Sequence, residues 1–302
     1  MRFGLFGTGP WAQLAHAPAL AAHSGVEFAG VWGRDPQKAA DLAGRYDVPA
    51  YSDVDALIAD VDAVAIALPP DVQAPIALRA ARAGKHLLLD KPIALRTEDA
   101  EALAAAAGDV ASVVFFTRRF TPELDGFLTE AAAAGGWAEA RIDHLGSIFV
   151  PDNPFGASPW RRERGGLWDV GPHALAVVLP VLGPVTAVTA VAGPRDLTFV
   201  LLQHEGGAVS RLALAVDAPA AAAREEAVFS GDAGVREVPC GRWSPPDALA
   251  RALDQLLAAA AGGPSPACDV RFGAAVTAIL AAAERSLIER ATVPVTSGRI
   301  DR

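Results

Sequence analysis

Cysteine is scarce in this chain of 302 residues. Only two cysteines occur, Cys240 and Cys268, and neither belongs to a CxxC pair or to a cluster with histidine. This usage excludes a cysteine-rich zinc site and the disulfide framework of a small secreted protein. We therefore predict no metal site, reduced thiols and a cytoplasmic location.

Blocks of like charge are also missing. The formal net charge of -9 comes from 35 acidic and 26 basic residues, which are mixed along the chain. A nucleic-acid-binding protein needs its basic residues clustered on a patch or stripe, so nucleic acid is excluded as a partner. Small solutes are the expected partners.

Long apolar runs are few. No apolar stretch of signal-peptide length precedes the first glycines, so we expect no export signal. Ala174–Pro194 is uncharged over about the length of a membrane span, which needs ~20 apolar residues. However, Pro180, Gly183 and Pro184 interrupt it. We predict a buried helix followed by a strand there, and no membrane partner.

Lysine is also scarce, because arginine supplies nearly all of the basic side chains. The three lysines are Lys38, Lys85 and Lys91, and Lys91 lies in the stretch LLLDKPIAL. An arginine guanidinium is not deprotonated in a protein, whereas a lysine ammonium is compact and can change its protonation state. We predict that Lys91 is kept for proton or hydrogen-bond chemistry. The alternative is a surface lysine of no special role.

The first part of the chain alternates short apolar runs with helical patterns. The length of the whole chain, 302 residues, and its hydrophobic fraction of 52% predict a compact protein of two domains. Parallel strands that are buried on both faces are nearly all apolar and alternate with helices. Residues 1–117 are therefore predicted to form an α/β domain of Rossmann type, with a doubly wound parallel sheet. The predicted strands are 2–7, 26–33, 62–69, 86–90 and 111–117, and the predicted helices are Trp11–Ala22, Pro36–Tyr46, Val72–Ala83 and Thr97–Ala107.

From Arg118 onward the pattern changes to strands joined by short turns. Glu205-Gly206-Gly207 and the GDAG of residues 231–234 have the composition of hairpin turns, which join antiparallel strands. Residues 118–302 are therefore predicted to form an α+β domain with an open, mainly antiparallel sheet. The predicted strands are 138–150, 185–192, 197–204, 208–216, 227–230 and 235–238; the predicted helices are 122–134, one beginning near Pro172, 248–261 and 273–289; and Pro151–Gly166 is predicted to be a loop.

A glycine-rich loop follows the first predicted strand. Gly7-Thr8-Gly9-Pro10-Trp11-Ala12 matches the dinucleotide fingerprint, with alanine in its last place. In this pattern the first glycine permits the turn, the second lets the backbone approach a pyrophosphate, and the small last residue keeps helix and strand close. Its position at the start of a βαβ run predicts a dinucleotide site. The alternative is a glycine turn of purely structural use.

The end of the second predicted strand carries no carboxylate. An NAD site usually has an acidic residue there, which accepts a hydrogen bond from the ribose 2′-hydroxyl. Gly33 occupies that place, and Arg34 and Lys38 follow it. Because no carboxylate repels a 2′-phosphate and arginine is a bidentate partner for one, we favour NADP over NAD. Asp35 is the opposing feature, and the alternative is that Arg34 and Asp35 simply begin a helix with Asp35 as its N-cap.

Two further motifs complete a pattern with the glycine-rich loop. Asp90-Lys91-Pro92 follows the fourth apolar run, and residues 165–173 read GGLWDVGPH. In this order the three motifs resemble the Gfo/Idh/MocA family of oxidoreductases (glucose-fructose oxidoreductase, inositol dehydrogenase and rhizopine catabolism proteins), over nearly the whole chain. The resemblance implies a catalytic set of Lys91, Asp169 and His173.

The resemblance also implies further residues at the coenzyme and substrate. Leu68, Pro69 and Asp90 correspond to family positions beside the coenzyme, and Arg118 lies near where the family binds coenzyme or substrate. The exposed face of the antiparallel sheet commonly pairs subunits in this family, which implies a homodimer or homotetramer formed through the C-terminal sheet.

This chain departs from the family pattern at three places. Asp90 stands where the family usually has glutamate, which shortens the side chain before Lys91 by one methylene. Gln73 stands where the family often has histidine, and an amide cannot titrate there. Trp168 stands where leucine often precedes the catalytic aspartate, so the site gains an indole.

The spacing of Asp169 and His173 predicts their chemistry. Residues four apart lie on one face of a helical turn, and Pro172 suits the first turn of a helix. A histidine near a helix N-terminus is expected to have a lowered pKa and to be the neutral base that an alcohol oxidation needs. The hypothesis is that His173 accepts a hydroxyl proton, Lys91 hydrogen-bonds the oxygen, and Asp169 orients one of them or holds a second hydroxyl. The alternatives are a helix cap for Asp169 and a satisfied buried histidine for His173.

The substrate is predicted only by class. Trp160 and Trp168 flank the loop before the catalytic motif and are candidates to stack on a sugar or cyclitol ring, with core packing as the alternative. Arg161, Arg162 and Arg164 are candidates to bind a carboxylate or phosphate group, and the alternative is that they only keep the loop soluble. The predicted function is hydride transfer between nicotinamide and a sugar, cyclitol or related polyol or ketone. The alternatives are a non-catalytic dinucleotide-binding regulator and a reductase of imines or other double bonds.

Overall fold

The computed structural model describes residues 1–232 and 234–296. Ala233, within the predicted GDAG turn, and 297–302, the end of the predicted second domain, lie outside the described residues. The described residues divide into two compact units, one formed by 1–120 and 243–274 and the other by 121–232, 234–242 and 275–296.

The bounds of the strands and helices are as follows. The strands are β1 Arg2–Phe6, β2 Glu27–Trp32, β3 Ala50–Tyr51, β4 Ala63–Ile66, β5 His86–Asp90, β6 Ser112–Phe115, β7 Trp137–Leu145, β8 Val185–Ala192, β9 Thr198–His204, β10 Val209–Ala215, β11 Arg224–Gly231, β12 Gly234–Glu237 and β13 Val293–Pro294. The α-helices are α1 Ala17–Ala22, α2 Pro36–Arg45, α3 Val54–Asp60, α4 Pro70–Arg82, α5 Thr97–Ala106, α6 Pro122–Ala134, α7 Pro159–Asp169, α8 Gly171–Leu182, α9 Pro245–Ala260 and α10 Val270–Glu289.

The first unit contains a six-stranded sheet in the order β3-β2-β1-β4-β5-β6, and all its strands are parallel. β4 in the middle of the sheet and β6 at its edge are buried along their whole length, as expected of a sheet covered on both faces. The predicted parallel sheet is confirmed. The sequence did not predict β3, because a two-residue strand has no readable period, and it did not predict α3.

The first helix differs from its prediction in type. Residues Ala12–His16 form a π-helical turn, and α1 begins only at Ala17. Pro18 has no N–H to donate to the carbonyl of Leu14, so the ordinary helical ladder is interrupted there. The amide of Ala17 instead donates to the carbonyl of Ala12, five residues back.

The predicted boundary after residue 117 does not follow the two units, because 243–274 return to the first of them. α9 packs against α1, β5 and β6. The backbone amide of Val114 on β6 donates to the carbonyl of Cys268 at 2.7 Å. The amphipathic pattern of α9 predicts a helix with one buried face, but it cannot say which unit covers that face.

The second unit contains a seven-stranded sheet in the order β12-β11-β7-β10-β9-β8-β13. Only β7 and β10 pair in parallel, so the predicted open, mainly antiparallel sheet is confirmed. The predicted hairpin at Glu205-Gly206-Gly207 joins β9 to β10, and Gly207 has φ +88 there. The strand predicted over 138–150 is shorter, since β7 ends at Leu145.

The loop predicted over Pro151–Gly166 is wrong in its second half. α7 begins at Pro159, which occupies the favoured first turn of a helix. The prolines, glycines and arginines of this segment indicated a loop, but the helical geometry fails only at Gly165 (φ 62).

Pro159–Leu182, counted across the break at Gly165, is long and apolar enough for a membrane span by length and composition, but 67% of its most apolar window is buried inside the protein. That burial is typical of core helices. As predicted for the uncharged stretch, α8 ends at Leu182 and a strand follows from Val185.

Candidate active site

The glycine-rich loop lies at the carboxyl end of β1, where Gly7 is sterically required. Gly7 has φ +131, and a Cβ atom there would lie 2.3 Å from the carbonyl oxygen of Ala67. Its amide donates to the carbonyl of Trp32 at 2.8 Å. Apart from its two chain neighbours, no described residue lies within 4 Å of a Cβ at Gly9, so that glycine leaves an open backbone cradle. This arrangement fits a dinucleotide pyrophosphate.

The rest of the loop is held by local contacts. The side chain of Gln13 donates to the carbonyl of Thr8 at 2.9 Å. The indole of Trp11 stacks on the ring of Phe115, with centroids 6.2 Å apart. Pro10 is exposed and Ala12 is fully buried, as the fingerprint requires of its small last residue.

The structure gives a steric reason for the missing carboxylate after β2. A Cβ atom at Gly33 would lie 2.6 Å from Cγ2 of Thr8, so a side chain there collides with the glycine-rich loop. Arg34 and Lys38 are both exposed. The Asp35 carboxylate accepts from the backbone amides of Gln37 and Lys38 at 3.0 and 3.2 Å, which makes it the N-cap of α2, as the alternative interpretation held.

Lys91 follows β5 in a loop that is fixed from both sides. Its backbone amide donates to the Asp90 carboxylate at 3.0 Å, its side chain is half-buried, and the Lys91-Pro92 peptide is cis. The amide side chain of Gln73, which is fully buried, makes hydrogen bonds to the backbone of Asp90 and of Pro92. Sequence reasoning noted Gln73 only as a departure from a pattern.

The remaining candidates of the first unit also follow its strands. Leu68 and Pro69 come after β4 and are half-buried, with Pro69 as the N-cap of α4. Arg118 lies in a single 3-10 turn, Thr117–Phe120, after β6. The carboxyl ends of parallel strands meet at one edge of a sheet. This edge therefore carries the glycine-rich loop, Gly33 and Arg34 after β2, and Lys91. Ligands of doubly wound sheets bind at such an edge.

His16 is a fully buried histidine at the end of the π-helical turn that follows the glycine-rich loop in the chain. Its ring meets the ring of Phe115 edge-on at 6.0 Å, and neither ring nitrogen has a hydrogen-bond partner among the described residues. Burial lowers the pKa of His16 from 6.5 to about 4, and the backbone of Trp11 opposes that shift. His16 is therefore neutral in the folded protein near neutral pH.

The buried His16 predicts acid sensitivity. Its pKa is lower in the folded than in the unfolded chain, so below about pH 6.5 the unfolded chain binds more protons and stability falls as the pH drops toward about 4. We expect the free energy of unfolding to fall by about 2 kcal/mol more in the wild type than in His16→Phe between about pH 7 and pH 5. Denaturant titrations at both pH values measure this difference. Equal losses in the two proteins would contradict the prediction.

In the second unit, the break in α7 at Gly165 precedes the residues predicted to be catalytic, Asp169 and His173. A Cβ atom at Gly166 would lie 2.4 Å from the backbone of Ala215, so α7 approaches β10 at backbone distance. The Asp196 carboxylate accepts from the amides of Gly166, Val216 and Asp217 at 2.9, 2.7 and 3.0 Å. Asp196 thus fixes where the motif begins. The sequence offered no signal for it beyond an aspartate in a Gly-Pro-Arg-Asp turn.

Asp169 is 7% exposed and paired with Arg161, whose Nε lies 2.9 Å from its carboxylate. The Arg161 guanidinium also lies over the rings of Trp160 and Phe155, at 4.9 and 5.4 Å. Arg161, predicted as a substrate ligand, therefore engages Asp169 and two aromatic rings.

Trp168 is 1% exposed, which favours the core-packing alternative over contact with a substrate ring, whereas Trp160 is half-buried.

His173 lies in the first turn of α8, directly after Pro172, as the sequence predicted. Its amide donates to the carbonyl of Val170 at 3.1 Å, and its side chain is half-buried. Its ring stacks on that of His144 from β7, with centroids 5.9 Å apart and planes 29° apart. Sequence reasoning missed His144, because a lone histidine in a strand carries no signal of what it faces.

Each unit thus gathers its own share of the predicted residues. The first unit brings the coenzyme candidates to the edge that carries Lys91, and the second brings Arg161, Asp169 and His173 to the start of α8. Within 1–232 and 234–296, no group of three or more histidine, cysteine, aspartate or glutamate side chains is arranged to hold a metal ion.

Comparison with known proteins agrees with this geometry. Residues 1–117 match the family described as "Oxidoreductase family, NAD-binding Rossmann fold". The chain is 31% identical over 248 residues to the dTDP-3,4-didehydro-2,6-dideoxy-alpha-D-glucose 3-reductase of Streptomyces antibioticus, covering 78% of this chain and 74% of that protein. It is 31% identical over 219 residues to the uncharacterized oxidoreductase YdgJ of Escherichia coli strain K12, covering 70% of this chain. Levoglucosan dehydrogenase in complex with NADH and levoglucosan superposes with a TM-score of 0.85 at 23% identity, over 98% of this chain and 99% of that one.

The chain belongs to the Gfo/Idh/MocA family of oxidoreductases, and the predicted resemblance is confirmed. The matched region spans 59% of the length of YdgJ. The match to levoglucosan dehydrogenase shows a shared fold.

Proposed function

We propose that this protein is an NADP-dependent oxidoreductase that transfers a hydride between nicotinamide and a sugar, cyclitol or related polyol or ketone. The observation that carries the proposal is the buried clamp on the Lys91 loop, at the same sheet edge as a glycine loop open to a pyrophosphate. The names of the relatives support the substrate class, since one is a reductase of a deoxysugar nucleotide and another is bound to levoglucosan.

Bound NADP⁺ would supply the hydride acceptor. We assign the substrate oxygen to the Lys91 ammonium, whose hydrogen bond stabilises the negative charge that develops as the hydroxyl proton leaves. His173 accepts that proton, directly or through water. Asp169, held by Arg161, offers acceptor oxygens to a second hydroxyl of the substrate. In the reverse direction the His173 imidazolium returns the proton to the oxygen of a ketone.

The preference for NADP is supported by the end of β2. A Cβ atom at Gly33 would clash with Cγ2 of Thr8. Oδ1 of Asp35 accepts the N-cap hydrogen bonds of α2, and its Oδ2 lies 3.9 Å from the Lys38 ammonium. Position 33 therefore carries no carboxylate for the ribose 2′-hydroxyl, and that of Asp35 is engaged by the start of α2 and by Lys38. Arg34 and Lys38 are exposed cations that follow Gly33 in the chain, and an arginine holds a phosphate through paired charge-assisted hydrogen bonds.

Replacing Arg34 tests the coenzyme preference. We expect Arg34→Ala to raise the KM for NADPH about 10- to 100-fold, because a hydrogen bond to a charged group contributes ~1.5–3 kcal/mol, and to leave the KM for NADH unchanged. Steady-state kinetics with both coenzymes measure this. Arg82→Ala, an exposed arginine at the end of α4, is the matched control. An unchanged KM for NADPH in Arg34→Ala would overturn the assignment.

We also propose pairing of subunits through one face of the second sheet. Along β9 the side chains alternate, so that Val200 and Leu202 are buried while Phe199 and Leu201 are 50% and 48% exposed. Val191 on the neighbouring strand adds to the same apolar face. Sedimentation velocity tests this proposal. We expect the wild type to be a dimer or tetramer and Phe199→Glu to be monomeric. A monomeric wild type would contradict the proposal.

A further inference from the structure

Gln73 is a buried amide whose hydrogen bonds bracket Lys91. It lies in the first turns of α4 and is fully buried. Its Nε2 donates to the carbonyl of Asp90 at 2.7 Å and to the carbonyl of Pro92 at 3.2 Å. Its Oε1 accepts from the amide of Asp90 at 2.8 Å. The three bonds therefore fall on the residues immediately before and after Lys91.

The chemistry of this clamp is specific to an uncharged amide. A glutamine offers two N–H donors and one carbonyl acceptor, and the Lys91 loop uses both kinds. Every partner is a backbone group, so neither side of the clamp changes protonation in the accessible pH range. A buried donor or acceptor that loses its partner destabilises the folded state, so the loop is held in this arrangement.

We propose that Gln73 is a positioning residue, which fixes the backbone on both sides of Lys91 and so determines where the Lys91 ammonium lies at every pH. The inference rests on the proposed role of Lys91. Among the described residues, the side chain of Gln73 makes its hydrogen bonds to this loop, and it acts through Lys91. Because a misplacement of about 1 Å can lower a rate ~10²-fold, loss of the clamp is expected to lower kcat by up to that factor and to change KM less.

Two substitutions separate positioning from general stability, because their effects depend on pH in opposite directions. In Gln73→Glu, an ionised carboxylate only accepts hydrogen bonds, so it opposes the carbonyls of Asp90 and Pro92 at high pH, whereas the protonated acid restores a donor at low pH. In Gln73→His, the neutral ring offers one donor and one acceptor, whereas the protonated ring loses the acceptor that the Asp90 amide needs. The clamp fails at high pH in the first variant and at low pH in the second.

The scarcity of lysine provides a readout that needs no substrate. Reductive methylation with carbon-13 formaldehyde labels Lys38, Lys85, Lys91 and the N-terminal amine, and it keeps their positive charge. The Lys91 resonance is assigned by its absence in Lys91→Arg. Lys85, whose ammonium donates to the carbonyl of Val61 at 2.7 Å, is the internal control in the same unit.

The experiment follows the four NMR signals across pH in the wild type and both Gln73 variants, with thermal unfolding measured alongside. We expect the Lys91 signal alone to move, at high pH in Gln73→Glu and at low pH in Gln73→His, while Lys38 and Lys85 stay at their wild-type positions. A Lys91 signal that keeps its wild-type position at every pH in both variants would overturn the proposal. If one variant unfolds in its sensitive range, the other decides.

Turnover of a panel of sugars and polyols with NADP⁺ then distinguishes this inference from the proposed function. Displacement of the Lys91 signal together with a fall in kcat supports both. Displacement with unchanged turnover, and unchanged turnover in Lys91→Met, supports the clamp and contradicts the role of Lys91. A large loss in Lys91→Met without any displacement in the Gln73 variants contradicts the clamp alone.

Discussion

Lys91→Met is expected to lower kcat by about 10²–10⁴-fold, the usual contribution of a positioned acid or base group. Methionine matches the length of the lysine stem but carries no donor, so the substrate oxygen loses its partner as negative charge develops on it. Lys91→Arg is expected to lose nearly as much, because a planar guanidinium is larger than an ammonium and does not fit the same place in a clamped loop. Initial-rate kinetics at saturating coenzyme measure both variants.

Lys85→Met is the matched control for this substitution. Lys85 precedes β5, at the other end of the strand from Lys91, and its ammonium donates to a backbone carbonyl of the same unit. We expect Lys85→Met to lower stability with little change in kcat. Near wild-type kcat in Lys91→Met would remove Lys91 from the chemistry.

His173→Asn is the second large effect, with an expected loss of kcat of about 10²–10⁴-fold for removal of the general base. Asparagine keeps a polar group in the first turn of α8 but takes up no proton. His144→Phe is the matched comparison, since it preserves a ring that can stack on His173 and removes only the neighbouring imidazole. Its loss is expected to be much smaller. Equal losses in the two variants would mean that the ring pair matters for packing rather than for proton transfer.

The double variant Lys91→Met with His173→Asn tests whether the two groups serve one step. Residues that act as a unit in catalysis show losses that are far from additive, because the second substitution finds little left to remove. We therefore expect the double variant to be no more than ~10-fold slower than the slower single variant. Fully multiplied losses would assign the two residues to separate steps.

The sequence predicted the parts of the fold that depend on local patterns. Fully apolar runs alternating with helices predict a parallel sheet, and a Glu-Gly-Gly turn between two alternating strands predicts an antiparallel hairpin. Both are confirmed. The requirement for glycine at position 7 of the glycine-rich loop was also predictable from the dinucleotide fingerprint. In the structure, φ +131 and the nearby Ala67 carbonyl exclude any side chain at Gly7.

The parts that could not be predicted depend on partners distant in sequence. Asp196 binds an amide 30 residues away, and Gln73 binds groups 17 and 19 residues away, so neither leaves a local pattern. The contacts of Arg161 could not be predicted for the same reason, since the sequence shows an arginine in a basic segment but not the Asp169 carboxylate and the two rings around it. Hydrophobic period predicts which face of an element is buried, but it does not name the group that a polar side chain meets.

The most direct test of the account is a turnover assay in which the wild type and Lys91→Met are compared with NADP⁺ and a panel of sugars, cyclitols and polyols. The appearance of reduced nicotinamide is followed by absorbance, and coenzyme binding by quenching of tryptophan fluorescence. We predict that the wild type oxidises at least one member of the panel and that Lys91→Met binds NADPH but turns over that compound ~10²–10⁴-fold more slowly. Tight NADPH binding by both proteins, with no turnover of any panel member by the wild type, would contradict the account and favour a dinucleotide-binding regulator.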